Sequence, residues 1–480
     1  MLLVSAVAKS EGSKENMKHL LPLAIALFAL RLPAQDYTMD FKMNHPDGIY
    51  RTGETIVVSA QLLEDGKPVT NKLLRYVLSR DVTHIKTVDG PADAPVTIET
   101  TLDHPGWCKV LAVGMDQNKK MLTGTVNGKP KNALFDIGAM VDPLDLKQGA
   151  PTPEDFAAFW ERQKAELKRI PMDVKYKPVP STPEYRKVNF VTINCGEGIR
   201  PVEGIMHIPA NAKPKSLPIL LHVHGAGVHN PSDPQWAPPI PGGSAIKWPV
   251  IFFNLNAHGI PNDQPKSFYT ELREGELKAY PFINSTNCET YYMKGMILRL
   301  IRALEFLKTL PEWNGKDIVV GGGSQGGAQA LFAAGADSQV TEIYADVPAM
   351  CDHGGTLVDR QAGWPGLYFR ENGKIMVKQD YDRKNAKPGS EAMVQTAGYF
   401  DAANFARQIR CKTYIRTGGV DGVCPPTSVF AAYNAIPSTN KEIDFAPLGA
   451  HCSGIYDDTE TVKVAKFRGA QKLTATKAGK

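Results

Sequence analysis

The stretch "DIVVGGGSQGGAQALFAAGA", residues 317–336, limits the fold of this chain more than any other segment. A short apolar run ends in three glycines and a serine, and small residues with helical character follow at once. Strand, sharp turn and helix in that order need a backbone that glycine adopts and most residues do not. Ser324 stands at the turn, at the spacing of a nucleophile elbow. Glycine pairs are common in loops, so the meaning of Ser324 depends on its surroundings.

Those surroundings alternate between strand and helix. "LPILLHVHG" and "PVIFFNLNAHG" are continuous apolar runs of the kind buried in parallel sheets, separated by the Pro/Gly loop "NPSDPQWAPPIPGG". "VNFVTIN" and "VEGIMHIP" have the pattern of a hairpin. In "ETYYMKGMILRLIRALEFLKTL" the residues Met293, Met296, Ile297, Leu300, Ile301, Leu304 and Leu307 share one helical face. Beyond Ser324 come the strands "IYADVP", "TYIRTGG" and "EIDFAPLG", with helices between them. The expectation is a mostly parallel, doubly wound α/β sheet of the α/β-hydrolase kind over residues 150–467. It opens with an amphipathic helix, "EDFAAFWERQKAELKRI", N-capped by Thr152 with Pro153 at its first position.

Residues 36–143 have a different texture. "ETIVVSAQLL", "VTIETTL" and "GWCKVLAVGM" are β-rich runs punctuated by turn residues, which predicts a small β-sandwich. Its few aromatics favour a packing or positioning module over a sugar-binding one. Ahead of it, residues 17–34, "MKHLLPLAIALFALRLPA", have a basic start, a short apolar run and a small residue at the end. The run is too short to span a bilayer comfortably and reads as a secretory signal starting at Met17 and cleaved after Ala34. A secreted or periplasmic protein without stable membrane insertion is expected. The net charge of +5 over 480 residues gives no reason to expect a nucleic-acid partner, although residues 468–480 form a basic tail expected to be disordered. The seven cysteines include no C-x-x-C pair, and export would allow some to oxidise, Cys424 with Cys452 being one candidate pair.

A serine hydroxyl attacks an ester only if a base takes its proton and an acid orients that base. Downstream of Ser324, Asp421 follows the strand "TYIRTGG" and His451 follows the last strand. The order Ser, Asp, His, each after a different strand, is that of α/β-hydrolases. The oxyanion donors would be the backbone N–H groups of Gln325 and of Ala226, in "HGAG", where Gly225 and Gly227 allow close approach. Two other arrangements compete. His222 and His224, with His229, could bind zinc from a strand end, although packed hydrogen-bonding histidines account for them better. Asp352 and His353 could supply acid and base, but their adjacency makes the orienting geometry awkward. A serine triad requires no metal or cofactor.

With "GGSQGG", "VPAMCD", "DGVCPPTSVFAAYNAI" and "GAHCSG" in view, residues 150–467 resemble the acetyl xylan esterase/cephalosporin-C deacetylase family, carbohydrate esterase family seven. The resemblance implies that Ser324, Asp421 and His451 are nucleophile, acid and base, acting on an acetylated oligo- or polysaccharide, with a homo-oligomer possible. Ala226 stands where the family usually has a tyrosine. The family's Arg-Gly-Gln-Gly stretch is represented only by Ala257-His258-Gly259. Two alternatives stay open: a prolyl-oligopeptidase-type peptidase, whose β-propeller would not fit in the N-terminal region, and a catalytically silent carbohydrate-binding protein.

Overall fold

The structure is a computed structural model that describes residues 36–126, 129–180, 184–230, 249–451 and 471–474. The expected signal at 17–34, the Pro/Gly loop at 231–248 and Cys452 lie outside the described residues.

The N-terminal region consists of β-strands. Tyr37–Met43, Ile56–Glu64, Lys67–Pro68 and Val96–Thr100 form one sheet. Ile49–Tyr50, Leu73–Arg80, Thr83–Pro91, Gly106–Met115 and Leu134–Val141 form a second. Alternation places Ile56, Val58, Ala60 and Leu62 of the first sheet inward. Ile56, Val58 and Ile98 then share a core with Tyr76, Leu78 and Val110 of the second sheet.

A ten-stranded sheet follows. Its strands are β1 (Lys175–Pro178), β2 (Arg186–Ile193), β3 (Val202–Pro209), β4 (Leu217–Val223), β5 (Ile251–Asn256), β6 (Trp313–Gly323), β7 (Glu342–Asp346), β8 (Lys412–Gly418), β9 (Lys441–Ala446) and β10 (Gln471–Thr474). The spatial order is 1-2-3-5-4-6-7-8-9-10. Strands β4 to β9 run parallel, while β1, β2 and β3 add antiparallel strands at one edge. The sheet is therefore mostly parallel, and the two segments read as a hairpin pair antiparallel as β2 and β3.

Period-two alternation divides the parallel strands between two faces. Ile219, Leu221, Ile318 and Val320 join the large core, to which every described α-helix contributes buried side chains. Leu220, Phe252, Val319 and Tyr344 form a smaller cluster on the other face. Helices were expected on both faces, and the described ones pack on the first. The seven apolar positions of the helix Tyr292–Leu307 are all buried.

Two local expectations are corrected. The first helix begins at Phe156 with Asp155 as its cap position, not at Thr152. The Thr152 hydroxyl donates instead to Asn404 Oδ1 at 2.6 Å, a tertiary bond that local capping preference does not anticipate. The basic tail also contains a strand. Residues 471–474 pair antiparallel with β9, whose outer edge offers unpaired backbone donors and acceptors to any nearby chain.

Candidate active site

Ser324 links β6 to the helix Gln325–Ala336 with φ 56° and ψ −118°, a region that residues with a Cβ seldom enter. Three backbone bonds hold it there. Its N–H donates to the Asp346 carbonyl at 2.8 Å, and its own carbonyl accepts from Ala328 and Ala349. The flanking glycines have a steric reason. A Cβ at Gly322 would lie 2.3 Å from the Val223 carbonyl oxygen, and one at Gly326 would lie 2.1 Å from the same atom. Strand β4 thus runs against the turn and pushes the serine outward.

The chain brings Asp421 and His451 to that serine. His451 Nε2 lies 2.9 Å from Ser324 Oγ, and His451 Nδ1 lies 2.9 Å from Asp421 Oδ2. Asp421 is fully buried, and its Oδ1 accepts the N–H groups of Val423 and Cys424 at 2.8 and 2.9 Å. With one oxygen fixed by the turn, the other is aimed at the imidazole. A carboxylate only accepts, so Nδ1 carries a hydrogen and Nε2 is left to accept the serine proton. The two loops are joined by main chain as well, through Gly419 N–H to Ala446 O and Val420 N–H to Gly449 O.

Gly225 lies beside the serine, since a Cβ there would be 3.9 Å from Ser324 Cβ. His224 orients the next peptide. Its Nδ1–H donates to the Gly225 carbonyl at 2.6 Å, while Nε2 accepts the Ala257 N–H at 3.1 Å. In a trans peptide the Ala226 N–H points opposite to the Gly225 carbonyl. The imidazole thereby sets the direction of that N–H. Burial presses the His224 pKa down to about 3, keeping the ring neutral as these two bonds require. The Gln325 N–H belongs to the first turn of its helix, where donors have no intrahelical acceptor.

Both nitrogens of His224 are thus committed to backbone, and His222 Nδ1 faces Asn254 Oδ1 at 3.2 Å, an arrangement of structural histidines rather than of zinc ligands. Among the described residues, Asp421, Cys424 and His451 bring potential metal donors within 4.8 Å of one another. Two of these already bond each other, and burial holds the Cys424 thiol well above its ordinary pKa, in its protonated form. Asp352 bonds the Gly149 N–H and Arg360, which commits its carboxylate away from His353, itself buried.

Two further residues join the site. The Tyr280 hydroxyl donates to the side-chain carbonyl of Gln325. His258 packs edge-on against Tyr280, donates Nε2–H to the Gly227 carbonyl and accepts from Tyr292 through Nδ1. A lone tyrosine in "AYPF" looks like any buried aromatic until the fold joins it to the site, whereas His258 stands in the stretch that represents the family's Arg-Gly-Gln-Gly.

Residues 142–468 match the family described as acetyl xylan esterase (AXE1). The chain belongs to that family. This acetyl xylan esterase family member is 28% identical over 425 residues to the acetyl esterase Axe7A of Xylanibacter ruminicola, covering 87% of each chain. That aligned length exceeds the stretch from 142 to the C-terminus, so the likeness extends into the N-terminal sheets. An acetyl xylan esterase structure from Paenibacillus sp. R4 superposes with a TM-score of 0.51 at 26% identity, over 64% of this chain and 93% of the other. Among the described residues of this family member, no helix is long and apolar enough to cross a membrane.

Proposed function

We propose that this chain is an exported serine esterase that removes acetyl groups from carbohydrate through an acyl-enzyme. The observation that carries the reading is His451, with one ring nitrogen 2.9 Å from Ser324 Oγ and the other 2.9 Å from Asp421 Oδ2. Family membership and the likeness to an acetyl esterase supply the substrate class.

Ser324 Oγ attacks the ester carbonyl while His451 Nε2 takes the hydroxyl proton, and Asp421 stabilises the imidazolium so formed. The developing oxyanion is met by the N–H groups of Gln325 and Ala226. Collapse of the tetrahedral intermediate breaks the bond to the sugar oxygen, which leaves with the proton from His451. Water, deprotonated by His451, then attacks the acetyl-enzyme and releases acetate. Residues 36–143 form a β-sandwich module and residues 150–467 the hydrolase, with export directed by residues 17–34. Turnover of an acetylated xylo-oligosaccharide, measured as acetate release by wild type and Ser324→Ala, tests the reading. Hydrolysis of a prolyl peptide with no acetate release would replace it with the peptidase assignment.

A further inference from the structure

The N-terminal strands touch the hydrolase at the two loops that carry Asp421 and His451. Trp107, on the strand Gly106–Met115, is 1% exposed and belongs to the large hydrolase core rather than to the N-terminal one. Its indole Nε1–H donates to the Gly419 carbonyl at 2.7 Å, two residues before Asp421. Gly138, on the strand Leu134–Val141, donates its N–H to the Pro447 carbonyl at 2.9 Å, four residues before His451. The backbones are so close that a Cβ on Gly138 would lie 1.8 Å from the Gly419 carbonyl oxygen.

A third tie comes from Asp81. Its carboxylate accepts the Trp107 N–H at 3.1 Å through one oxygen and the Thr427 hydroxyl at 3.2 Å through the other. Thr427 lies in the helix Pro426–Ala435, which begins directly after the Asp421 turn. Both loops also bond each other through main chain, as described above. The acid loop, the histidine loop and the start of the following helix are therefore braced from one side by the N-terminal region.

We propose that the N-terminal sheets are a clamp that sets the Asp421–His451 geometry, with Trp107 and Gly138 as its positioning residues. Neither touches substrate. The clamp holds a carboxylate and an imidazole at bonding distance on two loops that leave the paired ends of β8 and β9, where Gly418 stands opposite Ala446. This inference rests on the serine-triad reading given under Proposed function.

The test compares the full-length wild type with Trp107→Phe, Gly138→Ala and Ser324→Ala. Phenylalanine keeps most of the packing and removes the N–H donor. Alanine at 138 pushes against the Gly419 peptide. The readouts are kcat and KM on an acetyl ester, the pH profile of kcat/KM, the rate of labelling by a serine-directed phosphonate, and circular dichroism for folding. Trp107→Phe should lower kcat by about 10- to 100-fold with KM nearly unchanged, as small misplacements remote from the chemistry do. The midpoint of the kcat/KM profile should move to lower pH, because a displaced Asp421 stabilises the imidazolium less. A purely structural role would lower the amount of folded enzyme without moving that midpoint. Should Gly138→Ala fail to fold, Trp107→Phe decides alone. Wild-type kcat and midpoint in folded Trp107→Phe, with Ser324→Ala inactive, would overturn the clamp and leave the triad. Full activity in Ser324→Ala would remove the triad and the clamp with it.

Discussion

The carbonyl oxygen of Val223 occupies the space where a Cβ on Gly326 would stand, 2.1 Å away. Any side chain at 326 must displace either strand β4 or the helix whose first residues follow Ser324. Gly326→Ala should therefore fold but misplace Ser324. The overpacking would cost about 1–3 kcal/mol of stability, a typical penalty for inserted methyl groups. Activity should fall further, by about 100-fold in kcat, the scale of an error near 1 Å in a reacting group. Thermal unfolding and steady-state kinetics on an aryl acetate check both, and a fully active alanine variant would mean the elbow tolerates the shift.

Asp421 gives one oxygen to its own turn and the other to His451. Asp421→Asn would preserve much of the turn but present an amide N–H, or a weaker acceptor, to Nδ1. The imidazole then loses the tautomer that leaves Nε2 free to accept. The expected result is a fall in kcat by about 10³- to 10⁴-fold, with modest change in KM. Ser324→Ala should fall at least as far, and a serine-directed phosphonate should label Ser324 in wild type alone. Labelling at any other serine would redirect the assignment.

Much of this site is legible in the sequence, because its signals are local. Glycines around Ser324 mark a backbone conformation, and apolar runs before Ser324, Asp421 and His451 mark strand ends. Pairings that need distant chain were not legible. Nothing in "GWCKV" says that Trp107 will reach Gly419, 312 residues later in the chain. For His224 the sequence favours a packed hydrogen-bonding role over a metal but does not name the partners. The two bonds made by its ring supply them, the Gly225 carbonyl and the Ala257 N–H. Thr152 shows the reverse case, where a sound local capping pattern gave way to a tertiary bond with Asn404.

Glu203 offers a pH-dependent prediction apart from catalysis. It is 9% exposed, and burial raises its pKa to about 7 despite the Thr192 hydroxyl that bonds its carboxylate. In the unfolded chain it ionises at its ordinary value of 4.5. Between these values only the folded state holds the proton, so stability rises as pH falls from about 7 toward 4.5 and is penalised above 7. The penalty is at most about 3 kcal/mol. Glu203→Gln should raise Tm above pH 7.5 and leave it nearly unchanged near pH 4, below the unfolded pKa. Equal Tm differences at both pH values would show that Glu203 ionises normally in the folded protein.

The Gly225–Ala226 loop gives the prediction with most bearing on substrate. Gly225 lies against Ser324, and the adjoining Ala226 is exposed, with its N–H directed by the His224–Gly225 bond. An enzyme built for acetate closes the space beyond the methyl group, so each added methylene meets a wall instead of a pocket. Discrimination per methylene is only about 1–3 kcal/mol, so acetate over propionate should be modest and acetate over butyrate clear. Octanoate should scarcely turn over. Alanine is small, however, and Ala226→Tyr would fill the space beside this N–H. If that space admits longer acyl groups, the tyrosine variant should sharpen the preference for acetate while leaving acetate kcat within a few-fold. The measurement is kcat/KM for aryl acetate, propionate, butyrate and octanoate in wild type and Ala226→Tyr. A wild-type profile that stays level or climbs to octanoate would leave an esterase whose acyl group is something other than acetate.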